Sequence, residues 1–258
     1  MGLKEVFSIS TGTKKILAIT ISVSVMAILF AFIYYHTLNN WEDPRIIKAR
    51  EILSEYENIA GSAQPAGAFP LLDSAFAIFS SLPDYNCSFE KGVIYNNKSS
   101  GLLLAAIYDS GISGEEKSNL LALSIIFCDS SIIQYRRWLD EWEDLSSDDI
   151  AERLGQFMKE EDPAFRGLNF KRIFSQRIKN IVTAQIETPR RLSVSFTNKG
   201  TIFRHMMEPD SSLAYYRMAL ELWEQNRTAK SNLNVLMGGE PIKPKLIESL
   251  FPPDKNRK

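Results

Sequence analysis

The chain has 258 residues, of which 45% are hydrophobic and 24% are charged, and its formal net charge is −1. This composition is typical of a folded protein and excludes a mainly disordered one. The near-neutral charge gives no overall reason to expect nucleic acid as a partner. Two cysteines and two well-separated histidines form no zinc-binding pattern, and no cofactor motif is present.

The first predicted element is a transmembrane helix over residues 16–36. The run from Ile16 to Tyr35 contains no charged side chain, and about 20 helical residues, at about 1.5 Å each, span the hydrocarbon core of a bilayer. A cleaved signal peptide would have a shorter apolar core and a small-residue cleavage site. We therefore expect the helix to be retained as a membrane anchor.

The charges on either side of this helix predict its orientation. Residues 1–15 contain three lysines and one glutamate, whereas the charges that follow the helix balance to zero. The positive-inside rule then places residues 1–15 in the cytoplasm and the rest of the chain on the far side of the membrane. The sequence predicts a single-pass inner-membrane protein with a periplasmic, or otherwise extracytoplasmic, domain.

The remaining chain is predicted to be all-α. Residues 37–43 form a linker, residues 44–238 form the domain, and residues 239–258 form a proline-containing tail. Apolar residues recur at helical spacing throughout the domain, and no segment shows the alternation of a strand. Helices are predicted at about 46–56, 69–82, 89–108, 115–128, 132–145, 146–158, 166–186, 189–206, 210–224 and 228–237.

One segment, residues 193–226, resembles a tetratricopeptide repeat (TPR). The resemblance rests on aromatic and small residues at the spacing of that family, with one apolar residue a period later: Phe196, Gly200, Phe203, Tyr216, Ala219 and Leu233. Lys199, Ser212 and Glu224 depart from the pattern. A weaker echo, 101 residues earlier, begins at Val93.

The resemblance implies an array of helical hairpins that binds protein or peptide on its concave face. Gly200 and Ala219 would then be the positions at which paired helices approach closely. A generic helical bundle is the alternative fold.

The charges are unevenly distributed along the domain. Asp140 to Asp162 contains ten acidic and two basic residues, whereas Arg166 to Arg204 contains nine basic residues and one acidic residue. The two blocks either face each other or water, or the basic block docks an acidic partner or anionic lipid headgroups. The candidate residues of this basic face are Arg166, Lys171, Arg172, Arg177 and Lys179.

Two tryptophans and two cysteines are further candidates. Trp138 and Trp142 lie one helical turn apart, and they are either core residues or, if exposed, an anchor for a partner. Cys128, within an apolar run, is expected to be a buried hydrophobe, and a disulfide between Cys87 and Cys128 is left open. The apolar pairs of the tail, between residues 246 and 251, would suit a groove of this domain or of a partner.

These features predict a membrane-anchored scaffold or adaptor rather than an enzyme. Its partners would be proteins in a membrane-associated complex, and a homo-oligomer is left open. The TPR resemblance, combined with one anchor, is similar to bacterial envelope adaptors of secretion, translocon-associated or flagellar machines. The alternative is a membrane-tethered all-α enzyme or ligand-sensing domain.

Overall fold

The computed structural model describes residues 11–39, 41–60 and 65–243. The chain divides into two compact units, Met1–Glu42 and Asp43–Lys258. Residues 1–10 of the predicted cytoplasmic tail and residues 244–258 of the predicted C-terminal tail, with its apolar pairs, lie outside the described residues.

The first unit contains helix α1, Thr11–Asn39. Its window from Lys15 to Phe32 is long and apolar enough to cross a membrane, and no other helix in the described ranges meets that criterion. The side chains of this window are exposed. Such an exposed apolar surface is unfavourable in water, and by length and composition the helix is suited to cross a bilayer.

The second unit confirms the predicted all-α class, since its described residues contain helices and turns but no strand. Eight α-helices follow α1 in the described part: α2 Ile47–Ala60, α3 Phe69–Ser81, α4 Phe89–Tyr108, α5 Gly114–Trp142, α6 Ser147–Leu154, α7 Phe170–His205, α8 Pro209–Leu222 and α9 Arg227–Leu236. Short 3₁₀ turns cover Pro65–Ala68, Pro83–Tyr85 and Pro163–Phe165.

Two predicted helix breaks are wrong. Helix α5 continues through the polar residues 129–131, where Ser130 Oγ donates to the Ile126 carbonyl and Ser131 Oγ to the Gly92 carbonyl. Helix α7 continues through Pro189, although an internal proline removes one helical hydrogen bond and crowds the preceding turn. Packing of α7 against α4, α5 and α8 outweighs this local cost.

Helix α6 is shorter than predicted. It begins with a capping box, in which Ser146 Oγ accepts from the Asp149 amide and the Asp149 carboxylate accepts from the Ser146 amide. It ends at Leu154 with Gly155 as its C-cap. Met158, predicted to extend its apolar face, instead packs with Phe165 and Ile173.

Two pairs of successive helices, α4/α5 and α7/α8, repeat the same contacts. In both pairs, residues that advance along the first helix meet residues that recede along the second, so the pairs are antiparallel hairpins. The equivalent contacts are Gly92–Ser131 and Ser99–Ser124 in α4/α5, and Ser193–Ala219 and Gly200–Ser212 in α7/α8.

The equivalence extends to a lysine and two aromatic rings in each hairpin. In α4/α5, Tyr95 stacks on Phe127 at 6.2 Å between ring centroids, and Lys98 Nζ lies 5.3 Å from the Phe127 ring. In α7/α8, Phe196 stacks on Tyr215 at 6.1 Å, and Lys199 Nζ lies 4.6 Å from the Tyr215 ring. The chain thus builds one helical hairpin twice, with α6 and the first half of α7 between the copies.

The core is divided among these helices. The largest cluster joins α4, α5, α7, α8 and α9, and a second joins α2, α3 and the start of α4. A third cluster contains Trp138 and Trp142 of α5 with residues of α6 and α7. Helix α7 therefore contributes to most of the core and holds its side chains against fixed neighbours.

Candidate functional site

A buried cluster of charges fixes the start of the second unit. Arg45 Nη2 lies 2.7 Å from carboxylate oxygens of both Asp43 and Asp84. The Tyr85 hydroxyl donates to Asp43 Oδ2 at 3.2 Å, and the Arg45 guanidinium lies 5.0 Å from the Phe165 ring. Burial alone would lower the pKa of Arg45, but its hydrogen bonds and the two carboxylates hold this pKa above its usual range.

Next to this cluster, a cleft of about 220 Å³ opens where α2, α4 and α7 meet. Its walls include Arg50 of α2, Phe89 of α4, and Asn180, Glu187 and Arg191 of α7. Two guanidinium groups from different elements therefore converge on one concave surface. Such a convergence of polar groups in a cleft is the usual feature of a ligand site.

The α7 wall of the cleft is a helical stripe. Asn180, Ala184, Glu187 and Arg191 of this wall, with the buried Arg177 one turn before them, follow at intervals of three or four residues, which places them on one face of the helix. Ala184 in the middle is 3% exposed. The small alanine leaves room for the cleft between the longer side chains.

Arg191 has no partner for its charge in the described part of the chain. Its guanidinium stacks on Phe89, at 4.3 Å from the ring centroid, and its Nη1 is buried without a hydrogen-bond partner. No carboxylate of the described residues lies within ion-pair distance of it. A partly buried cation without a counter-charge is energetically unfavourable. Binding of an anion at Arg191 would therefore be more favourable than at Arg50, which already pairs with Glu90.

Arg50 lies on the opposite wall of the cleft and pairs with the buried Glu90 of α4. Arg50 Nη2 lies 3.2 Å from Glu90 Oε1. Glu90 is 4% exposed, and its second oxygen, Oε2, is buried without a hydrogen-bond partner. Glu90 therefore retains an unused acceptor next to the ion pair that holds Arg50 in place.

The structure places four of the five candidate basic-face residues on the surface. Arg166, Lys171, Arg172 and Lys179 are exposed. Arg177 is wrong as a surface residue: it is 5% exposed, and its guanidinium lies 3.9 Å from the centroid of the buried Tyr85 ring. Arg177 lies on the face of α7 that meets the 3₁₀ turn Pro83–Tyr85. The Tyr85 ring of this turn stabilises the guanidinium through a cation–π contact.

Trp138 and Trp142 are core residues and not an exposed anchor. They are 1% and 4% exposed. Trp138 packs edge-to-face on Phe89 at 6.1 Å, and Arg153 lies 5.5 Å from the Trp142 ring. The hypothesis that these tryptophans form an exposed anchor for a partner is therefore excluded in this structure. Trp138 instead packs against the Phe89 ring, on which the Arg191 guanidinium lies.

Five of the six predicted repeat-packing residues lie in α7 and α8, and the sixth lies in α9. Phe196, Tyr216 and Ala219 are buried, and Phe203 stacks on Tyr215 at 5.4 Å. A Cβ atom on Gly200 would lie 2.8 Å from the Tyr216 ring. Leu233 of α9 is half-buried.

Both cysteines are free. Cys128 is buried, as predicted, and its thiol donates to the Ser195 carbonyl at 3.1 Å. Burial raises the pKa of Cys128 to about 12. Burial is also the main cause that raises the pKa of the half-buried Cys87. Neither thiol has the lowered pKa of a nucleophile.

The described residues contain no group of three histidine, cysteine or acidic side chains that could hold a metal ion. Two ion pairs connect the charged blocks to other parts of the fold: Asp162 pairs with Arg45 at 3.7 Å, and Lys199 pairs with Asp129. A third pair, Arg190–Glu187 at 3.0 Å, lies within the basic block.

Comparison with protein-family models, curated proteins and solved structures gave no match. The function must therefore be argued from the geometry of the chain itself.

Sequence reasoning missed the cleft. The stripe from Arg177 to Arg191 has helical periodicity, so a polar face of α7 was detectable in the sequence. Arg50, Phe89 and Glu90 lie far from this stripe in the sequence and approach it only through the packing of α2 and α4 on α7. No local pattern connects them.

Proposed function

We propose that this chain is a membrane-anchored scaffold or adaptor whose folded domain is a TPR-like array of helical hairpins. The repetition of the α4/α5 contacts in α7/α8 is the observation that carries the proposal. Repeated hairpins stack to bury a continuous core and leave extended surfaces for protein partners. The α2/α3 pair before these hairpins and α9 after them would extend the same array.

The apolar helix α1 supports the membrane part of the proposal. Its lysine-rich N-terminal flank favours an orientation in which the domain is extracytoplasmic. The domain would then serve an envelope complex, such as a secretion, translocon-associated or flagellar machine. Three residues, 40–42, separate α1 from the core residue Asp43, so the anchor connects to the folded unit through a short segment.

Site-specific photocrosslinking in native membranes tests the adaptor function. A photoreactive residue would replace Lys179 on the cleft side of α7 and, as a matched control, the exposed Arg217 on α8. We expect Lys179 to give one discrete protein adduct and Arg217 to give none. Identical adduct patterns at both positions, or no adduct at either, would contradict a defined partner surface.

Protease added to intact spheroplasts tests the orientation in the same cells. We expect digestion of the domain after Trp41 without lysis. Complete protection until the cells are lysed would show that the domain is cytoplasmic.

A ligand-sensing domain is the second candidate function, and the cleft at Arg191 is the observation that favours it. A sensor would bind a small molecule in this cleft without requiring a protein partner. The two candidates therefore differ in the size of the molecule that the cleft recognises.

A further inference from the structure

The cleft between α2, α4 and α7 contains an uncompensated positive charge. Arg191 forms no ion pair within the described ranges, and it lines the cleft together with Arg50. Burying a cation without a counter-charge costs free energy that binding of an anion would recover. The cleft is therefore arranged to accept negative charge.

The guanidinium of Arg191 is already oriented. It lies 4.3 Å from the Phe89 ring centroid, and Trp138 packs against the same ring at 6.1 Å. A planar guanidinium fixed on an aromatic face presents its N–H groups as a rigid fork, which matches the two oxygens of a carboxylate. Little side-chain entropy remains to be lost on binding.

The neighbouring acids limit the charge that the cleft can take. Glu90 pairs with Arg50, and Glu187 lies at the α7 wall, so Arg191 is the arginine of the cleft whose charge stays uncompensated within the described residues. A singly charged group adds less repulsion here than a doubly charged phosphate. The donors Asn180 and Thr183, which also line the cleft, supply further hydrogen bonds to an acceptor group.

We propose that this cleft binds a carboxylate group, and that an acidic segment of a partner protein supplies it. The second part of this inference rests on the proposed adaptor function. Exposed Lys179 lies one turn before Thr183 on α7, and Arg172 lies two turns before Lys179, so a line of positive charge leads along the helix to the cleft. Such a line attracts an extended acidic segment and not only its one bound group.

Direct binding to the full chain in detergent micelles tests the inference. The probes are a fluorescein-labelled hexaglutamate peptide, the matching hexaglutamine peptide and unlabelled glutarate. We expect the hexaglutamate peptide to bind, the hexaglutamine peptide not to bind, and glutarate to compete at higher concentration.

Variants of Arg191 separate charge from geometry. Arg191→Gln removes both and Arg191→Lys removes only the fork, and we expect each to weaken binding of hexaglutamate by about tenfold or more, because a bidentate pair is lost. Arg217→Gln on α8 is the matched control and should leave the affinity unchanged. Unchanged affinity in both Arg191 variants would overturn the site.

Thr183 provides a test that does not depend on the half-buried Arg191. Thr183 is exposed on the cleft wall, so Thr183→Glu and Thr183→Gln should both fold. We expect only the glutamate variant to weaken hexaglutamate binding, by about tenfold, through like-charge repulsion. Equal affinities of the two variants would contradict the cleft as the binding place.

The hexaglutamate peptide and glutarate also distinguish the source of the carboxylate. Binding of glutarate without binding of hexaglutamate would retain the carboxylate site, overturn the partner segment and favour the ligand-sensing function. Failure of both probes to bind the wild-type chain would overturn the inference itself, whereas the photocrosslinking result would still decide the adaptor function.

Discussion

At the scale of single residues, buried charges decide where this domain begins. Asp43 and Asp84 are 4% and 7% exposed, and carboxylates at such positions need a positively charged partner. Arg45 satisfies both and rests on Phe165, so it connects the first residues of the domain to two later 3₁₀ turns. Arg177 and Arg191 are also held on aromatic rings, but among residues 11–39, 41–60 and 65–243 no carboxylate pairs with either of them.

We predict that Arg45→Ala lowers the free energy of unfolding by about 3–5 kcal/mol, because it leaves two buried carboxylates unpaired. The measurement is chemical denaturation of the full chain in detergent. Lys48→Ala is the control, since the Lys48–Glu51 pair is exposed on both sides and exposed pairs contribute little. Similar small effects of both substitutions would contradict the role of Arg45.

At the scale of elements, close approach of paired helices depends on small residues. In α4/α5 and α7/α8 the contact positions are glycine, serine or alanine, and serine hydroxyls donate to carbonyls of the neighbouring helix. Lys199 shows how a charged residue is accommodated at this contact. Its amine lies 4.6 Å from the centroid of the Tyr215 ring and pairs with Asp129, so its charge is not left unpaired.

We predict that Gly92→Ala and Gly200→Ala each destabilise the domain by about 1–3 kcal/mol through overpacking. An added Cβ would lie 2.5 Å from the Tyr135 ring at Gly92 and 2.8 Å from the Tyr216 ring at Gly200. Both effects exceed the modest gain in helix propensity. Thermal melting of the full chain measures them.

Gly114→Ala is the matched control for these substitutions. An added Cβ there meets no atom within 4 Å, so melting should be unchanged or slightly higher. If the three variants melt alike, the hairpins are not closely packed at these positions.

At the scale of the whole molecule, the basic block serves two different roles. Arg177 and Lys199 are buried and hold elements together, whereas Arg172 and Lys179 are exposed along the helix that leads to the cleft. The basic residues of this block are close together in the sequence, but in the structure some lie in the interior and others on the surface. Only the exposed part can attract a partner from a distance.

We predict that reversing Arg172 and Lys179 to Glu slows association with an acidic hexaglutamate peptide at low salt and much less at high salt, because exposed charges act through screened attraction. Stopped-flow fluorescence measures the rates. The melting temperature should change little, since both side chains are exposed. A large loss of melting temperature with unchanged association would show that the pair is structural.

The sequence by itself determined the features that depend on local spacing. The uncharged run from Ile16 to Tyr35 identified the apolar helix, and helical periodicity identified the all-α class and most helix positions. These two predictions succeeded because one helix face contains all the residues that they require. The spacing of Gly200 and Ala219 remains the basis of the prediction that paired helices approach closely there.

The tertiary structure alone decided which helices are continuous, which side chains are buried and which distant residues lie close together. Pro189 remains within α7 because packing against three helices outweighs its local cost, and Trp138 and Arg177 lie in the interior because their faces of α5 and α7 meet other elements. The cleft joins Arg50, Phe89 and Arg191 from three helices that are distant in sequence. Long-range packing sets such distances, and no local pattern of residues encodes them.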